Sequence, residues 1–159
     1  MQVLCMHVKM KSFLLIFFVV TLFQFVVPTY TAADKAEEPS ATISYTLWLN
    51  PDITKQESLN ITAPNGTSFY EVMQLAASLN PNFAFQAREY PGMGHYIFKL
   101  AGQEEDLVNN IYWMIFKLTD LPDPTNPPSD DFLTPVGVDS IFINDKDIYL
   151  FWYKYVIFE

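Results

Sequence analysis

The sequence predicts an α+β domain in which one helix packs across a mixed β-sheet. Three observations support this prediction. Apolar and polar residues alternate in several short runs, which is the pattern of strands with one buried face. A single run has apolar residues at the spacing of a helix face. Five prolines in the segment from Leu121 to Pro135, inclusive, exclude a regular helix or a central strand there and predict an irregular loop.

Two strands, each with one apolar face, are predicted at the start of the domain. In the second strand Asn60 takes an outward position between Leu59 and Ile61, because side chains alternate along a strand. The turn residues Pro64-Asn65-Gly66 follow. The apolar positions of the first strand are Ile43, Tyr45, Leu47 and Leu49.

A helix is predicted after this turn. Ser68 and Glu71, three positions apart, have the pattern of a capping box at a helix start. Asn80-Pro81 ends the helix, because the residue before a proline is driven out of the helical region. The apolar face is predicted to contain Val72, Met73, Ala76 and Leu79.

The second half of the chain is predicted to be rich in strands. Apolar residues alternate with others from Phe83 to Ala87, turn residues follow from Pro91 to Gly94, and an extended run from Tyr96 to Leu100 completes a hairpin. Two strands, a helix and then more strands are the order of a β-grasp-like sheet. The later strands are predicted at Ile111–Leu118 and Ile148–Ile157, the last with Tyr149, Phe151, Tyr153 and Tyr155 on one face.

The N-terminal segment is predicted to be a signal peptide, residues 1–33, followed by a linker, residues 34–40, and the folded domain, residues 41–159. Lys9 and Lys11 precede an apolar run, and Thr31-Ala32-Ala33 has the small-x-small pattern of a cleavage site. The apolar run is shorter than the ~20 residues of a membrane-spanning helix. Cleavage is therefore favoured over an uncleaved signal anchor.

The composition argues against nucleic acid or an anionic membrane as a partner. The net charge is −9, so such polyanions would be repelled. The single cysteine, Cys5, lies in the predicted signal, so the domain is expected to be held by packing without disulfides. Met10 is an alternative start residue to Met1, because a lysine and the apolar run still follow it.

Two sequons predict N-glycosylation, at Asn60 and at Asn65. Both lie at a predicted strand end or turn, where a glycan can project into water. Chance occurrence is the alternative, because a three-residue pattern is common. The export signal favours the use of at least one sequon, and the expected localisation is extracellular.

Five segments in the same order resemble one known family. They are Ser68–Ala76, Gly94–Ile97 with Gly102, Tyr112-Trp113, Val136–Val138 and Asn144–Ile148. Together they are similar to the C-terminal beta domain of the transcobalamin and intrinsic factor family. His95 stands where that family has a proline, and the turn Asn144–Asp147 lacks the family's glycine. The helical alpha domain that precedes the beta domain in that family is not expected before residue 41.

The resemblance implies a secreted module that binds cobalamin (vitamin B12) or a related corrinoid. In that family the beta domain closes as a lid over cobalamin held by the alpha domain, so a separate alpha-type partner is implied. A corrin is broad and mostly apolar with an amide fringe, which suits aromatic side chains and main-chain groups. The positions that the resemblance implies for contact are Gly94, His95, Tyr96, Ile97, Tyr112 and Trp113.

Other interpretations remain open for these residues. Tyr112 and Trp113 could belong to the core, and His95 could approach the cobalt as an axial ligand or be an ordinary turn histidine. The alternative function is an extracellular domain that binds proteins or glycans on the same scaffold. Exposure of Tyr96 and Trp113 on one concave face would favour cobalamin, and burial of both would favour the alternative.

Catalysis and a metal-ion site are not expected. The sequence has no G-x-S-x-G nucleophile pattern. Only His95 and no cysteine follow the predicted signal, which leaves too few ligands for zinc. The turn Asn144–Asp147 fails the spacing of a calcium loop.

Overall fold

The computed structural model describes residues 39–157, which form two β-sheets and one α-helix. The predicted signal peptide, most of the predicted linker and Cys5 lie outside the described residues. The α+β prediction is confirmed. In chain order the elements are β1 (Ser40–Trp48), β2 (Gln56–Pro64), α1 (Phe69–Leu79), β3 (Phe85–Tyr90), β4 (Gly94–Leu100), β5 (Gln103–Glu104), β6 (Ile111–Leu118) and β7 (Ile148–Tyr155).

The larger sheet has four strands in the order β2-β1-β7-β6. The β1 and β7 strands are parallel, and the outer pairs β1/β2 and β6/β7 are antiparallel, so the sheet is mixed. Tyr45, for example, lies between Leu59 on β2 and Tyr149 on β7. The last strand thus lies beside the first, as in the predicted β-grasp arrangement.

The helix starts and stops where the sequence predicts. The Ser68 side chain accepts a hydrogen bond from the Glu71 N–H at 3.3 Å, and the Glu71 carboxylate accepts one from the Ser68 N–H at 3.1 Å. This capping box satisfies N–H groups that have no partner inside the helix. The predicted burial of Leu79 is wrong, because this residue lies in the last turn, at the edge of the apolar face. The buried face consists of Phe69, Val72, Met73 and Ala76.

The two central strands are buried on both faces, which differs from the prediction of one buried face for β1. One face packs against α1, where Tyr45 contacts Phe69 with ring centroids 5.2 Å apart. The other face carries a second cluster, which the proline-rich loop covers with Leu133. This loop is tied to the sheet by the Thr134 N–H, which donates to the Ile115 carbonyl at 3.0 Å. The buried residues of the second cluster are Trp48, Phe116 and Leu150.

The smaller sheet has three strands in the order β3-β4-β5. Its first two strands form the predicted hairpin around the turn Pro91–Gly94. Phe83 was predicted in the strand but lies in a 3₁₀ turn, Pro81–Phe83, because Pro81 starts a new turn directly after the helix. It is nevertheless buried against Tyr45.

Two surface features of the described residues bear on function. Asn60 and Asn65 are both exposed, as N-glycosylation requires. Tyr155 is exposed at the end of β7, whereas Tyr149, Phe151 and Tyr153 of the same predicted face are buried.

Within residues 39–157, no helix combines the length and apolar character needed to cross a membrane.

Candidate ligand-binding site

A hollow of about 450 Å³ lies at the tip of the β3–β4 hairpin. Three of its large side chains are accessible: Met93 is 86% exposed, Tyr90 44% and Tyr96 42%. Exposed apolar groups that meet at one concave place mark a surface for a ligand or partner. The lining residues are Tyr90, Met93, Gly94, His95, Tyr96 and Gly137.

His95 is held in one orientation at the wall of this hollow. Its Nδ1 lies 2.7 Å from Asp139 Oδ1, and its main-chain N–H donates to Asp139 Oδ2 at 2.6 Å. The imidazole also stacks on the Tyr70 ring, with centroids 3.8 Å apart and planes inclined by 11°. Burial alone would raise the pKa of Asp139, but the hydrogen bonds and the nearby charge of His95 lower the pKa below its ordinary value.

Gly94 makes this contact possible. Its φ of +84° is a conformation that residues with a Cβ rarely adopt. A Cβ built on Gly94 would lie 2.6 Å from Asp139 Oδ2, which is too close for any non-bonded pair. The glycine therefore provides the space that the Asp139 carboxylate occupies.

Tyr96 belongs to a second hydrogen-bonded group beside the hollow. Its hydroxyl donates to Glu105 Oε2 at 2.5 Å, and Glu105 Oε1 accepts the Trp113 N–H at 3.2 Å. Burial, then the bond to Glu105 and the nearby Tyr112 and Tyr90, raise the pKa of Tyr96 well above its ordinary value. Burial also raises the pKa of Glu105, despite the bonds that act the other way. Tyr96 is therefore a neutral, fixed ring at physiological pH.

The six residues that the resemblance implied do not all reach the hollow. Gly94, His95 and Tyr96 line it, and Tyr112 lies close enough to influence the Tyr96 hydroxyl. Adjacent residues on a strand point to opposite faces, so the neighbours of the two tyrosines point inward. These neighbours, Ile97 and Trp113, are buried in the core.

Trp113 has a structural environment. It is only 6% exposed, its ring packs against Tyr153 at 5.0 Å, and its Nε1–H donates to the Gln103 carbonyl at 3.1 Å. Exposure of both Tyr96 and Trp113 was expected for a cobalamin-binding face. Tyr96 is accessible and Trp113 is buried, so this expectation is met only for Tyr96.

Several residues that line or support the hollow were not predicted from the sequence. Tyr90 and Met93 lie in the predicted hairpin, and their position at its turn was a usable signal. Asp139 is 44 residues from His95 in the sequence, and Tyr70 lies on the helix. No local pattern links these two to the hairpin, so only the fold reveals the contact.

No family model matches this sequence. The chain is 39% identical over 124 residues to the uncharacterized protein CG3556 of Drosophila melanogaster, a match that covers 78% of this chain and 21% of that protein. The chain thus spans about a fifth of the length of this curated relative.

Two solved structures share the fold. Haptocorrin in complex with Cbi matches with a TM-score of 0.60 and 19% identity, over 76% of this chain and 26% of that chain. A candidate metal-binding protein from Ruminococcus gnavus matches with a TM-score of 0.54 and 13% identity, over 74% of this chain and 99% of that chain. At these identities the likeness is one of fold. The chain has a fold that also occurs as about a quarter of haptocorrin, in agreement with the resemblance seen in the sequence.

Proposed function

We propose that this chain is a secreted module that binds cobalamin or a related corrinoid, and that an alpha-type domain supplies the opposite wall of the site. The hollow at the β3–β4 hairpin is the observation that carries this proposal. It combines accessible rings, a thioether and glycine main chain in one concave place. The likeness in fold to haptocorrin, which was solved in complex with Cbi, supports the same ligand class.

The chemistry of the hollow suits a corrin macrocycle. Tyr90, Tyr96 and Met93 offer apolar area to a broad ring, and sulfur and aromatic groups adapt well to such a surface. Gly94 and Gly137 expose main chain without side chains in the way, so the amide fringe of a corrin can approach closely. Covering this apolar area with ligand supplies the driving force.

The hollow is one wall of a site and not an enclosed cavity. High affinity for a small molecule requires that most of its surface be buried. We therefore expect weak binding by this chain alone and tight binding when an alpha-type domain covers the other face of the corrin. The match to haptocorrin includes only about a quarter of that protein, which supports a role for a further domain.

Binding without catalysis is the proposed activity. The His95–Asp139 pair has the geometry of part of a catalytic triad, but no serine or threonine hydroxyl within residues 39–157 is hydrogen-bonded to His95. Secretion and glycosylation at the exposed Asn60 and Asn65 are part of the same proposal.

A titration of the purified, secreted chain tests the proposal. Cobalamin and cobinamide are titrated by absorbance and calorimetry, with and without a separately expressed alpha domain of the transcobalamin and intrinsic factor family. We expect a saturable signal that the alpha domain tightens. Met93→Ser should weaken binding, whereas Leu121→Ser, at a site 68% exposed in the proline-rich loop, should not.

Absence of a saturable signal at high micromolar ligand, with and without the alpha domain, would overturn corrinoid binding. The extracellular interaction domain would then be the better interpretation, since the exposed hairpin side chains could equally meet a protein or a glycan.

A further inference from the structure

The His95 ring has one nitrogen left for a ligand. Nδ1 is bound to Asp139 and one ring face is covered by Tyr70. Nε2 has no hydrogen-bond partner among residues 39–157. It is also absent from the fully buried polar atoms without a partner in that range, which are Tyr45 OH, Trp48 Nε1 and Trp152 Nε1. Nε2 is therefore not fully buried, and His95 is one of the residues that line the hollow.

The Asp139 contact selects which nitrogen is free. An ionised carboxylate can only accept a hydrogen bond, so in the neutral imidazole Nδ1 carries the proton and Nε2 carries the lone pair. A carboxylate behind an imidazole is the usual support of a metal-ligating histidine, because it fixes both tautomer and orientation. The main chain maintains the arrangement, since Gly94 leaves the space in which Asp139 reaches His95.

The surroundings restrict the kind of metal. No group of three or more His, Cys, Asp or Glu side chains in the described part of the chain could hold an ion. One imidazole is too little for a free ion, which needs several protein ligands. A metal that already has its equatorial ligands in a macrocycle lacks only axial ones, and a single fixed imidazole can supply one of these.

We propose that His95 Nε2 is an axial ligand to the cobalt of a corrinoid bound in the hollow, and that Asp139 is its positioning residue. This inference rests on the proposed function. It goes further because it assigns to His95 Nε2 a bond to the cobalt. Apolar contact between the hollow and the corrin would need no such bond.

Two forms of cobinamide distinguish coordination of the cobalt by His95 from apolar contact with the macrocycle. In diaquocobinamide the axial waters can be replaced by imidazole, and in dicyanocobinamide cyanide blocks both axial positions. Each form is titrated against the full secreted chain, with and without the separately expressed alpha domain. Binding of the diaquo form should shift the absorption spectrum towards that of an imidazole complex, and binding of the dicyano form should not.

Variants assign the shift to His95. We expect His95→Ala to abolish the shift and to lower affinity for the diaquo form by about tenfold or more, with little change for the dicyano form. Asp139→Asn should reduce the shift and lower affinity for the diaquo form by about tenfold, and by no more than His95→Ala does. Tyr96→Ala is the matched control, because it removes apolar contact with the macrocycle and should weaken the binding of both forms alike. Retained binding of the dicyano form shows that His95→Ala and Asp139→Asn are folded.

The outcomes distinguish this inference from the proposed function. Equal losses for both forms in His95→Ala, or no spectral shift with the wild-type chain that binds both forms, would overturn axial ligation and leave corrinoid binding intact. Failure of the wild-type chain to bind either form, with the alpha domain present, would overturn both.

Discussion

The two sheets use aromatic residues in opposite ways. In the four-stranded sheet the rings of Tyr45 and Phe151 are buried, and Tyr45 packs edge to face against Phe69 of α1 and at a tilt against Phe151. In the hairpin of the smaller sheet, Tyr90 and Tyr96 are accessible beside a hollow. Tyrosines occur in both regions, so the residue type does not decide the role. What decides it is whether another layer covers the face.

Polar groups show the same division. Of the side-chain atoms described, three are fully buried without a partner, and all three are on β1 or β7. The burial that leaves Tyr45 unpartnered also raises the pKa of its hydroxyl. At the hairpin, by contrast, His95 and Tyr96 each have a carboxylate partner. The larger sheet thus gains stability from apolar packing, and the hairpin gains defined side-chain orientations.

The largest effect should come from the core of the larger sheet. Phe69→Ala removes a fully buried ring between α1 and the sheet, at 4.4 Å from the Tyr149 ring. It should lower the free energy of unfolding by about 3–5 kcal/mol. Met93→Ala, at the exposed hairpin tip, should change it by no more than ~0.5 kcal/mol. Urea denaturation of both variants measures the two changes in free energy of unfolding. Similar losses in the two variants would contradict the difference between the sheet and the hairpin.

The hairpin has its own requirement, at Gly94. Gly94→Ala should cost about 1–3 kcal/mol, because it adds a collision with Asp139 to the strain of positive φ. Gly92→Ala is the matched control. Gly92 has a φ of +79° and nothing within 4 Å of an added Cβ, so it should bear the backbone strain alone. Equal shifts in thermal unfolding would show that Asp139 moves aside freely.

Trp113 lies at the border between the two regions. Trp113→Phe removes the hydrogen bond to the Gln103 carbonyl and part of a buried ring, so we expect a loss of about 1–2 kcal/mol in unfolding free energy. Corrinoid affinity should not change, because the indole faces the core. A large loss of affinity in a stably folded Trp113→Phe protein would place the residue in the site after all.

The smallest effect concerns Asp147, which precedes β7. Burial alone would raise the pKa of Asp147, but hydrogen bonds from Lys117, the Asn144 N–H and the Tyr149 hydroxyl lower it below the ordinary value. Its contribution to stability is therefore present above the unfolded pKa, near 4, and is lost as the pH falls through the folded pKa.

Asp147→Asn should cost about 0.5–1 kcal/mol at pH 7, since water screens the 2.8 Å pair with the partly exposed Lys117. The difference from wild type should shrink in acid. Asp52→Asn, at an exposed position, is the control. Urea denaturation at pH 7 and at pH 3 measures both, and a difference that grows in acid would contradict the assignment.

Much of the local structure was predictable. The bounds of β6, the capping box at Ser68 and the turn before Gly94 follow from patterns within a few residues, and they agree with the structure. Phe83 was placed in the wrong element, and Leu79 lies in the helix as predicted but is exposed; both lie at element ends, where a periodic pattern no longer reports contact with the core. The candidate site was predicted only in its hairpin half.

The sequence by itself determined the element types, the chain order and the exposed hairpin turn, because hydrophobic period, caps and turn residues act through neighbours. Only the tertiary structure decided that β1 and β7 are covered on both faces, that Trp113 is core, and that Asp139 orients His95. These outcomes depend on which distant segments meet, and the two residues of the last pair are 44 positions apart. Burial and pairing across such distances are properties of the whole packed chain and of no local pattern.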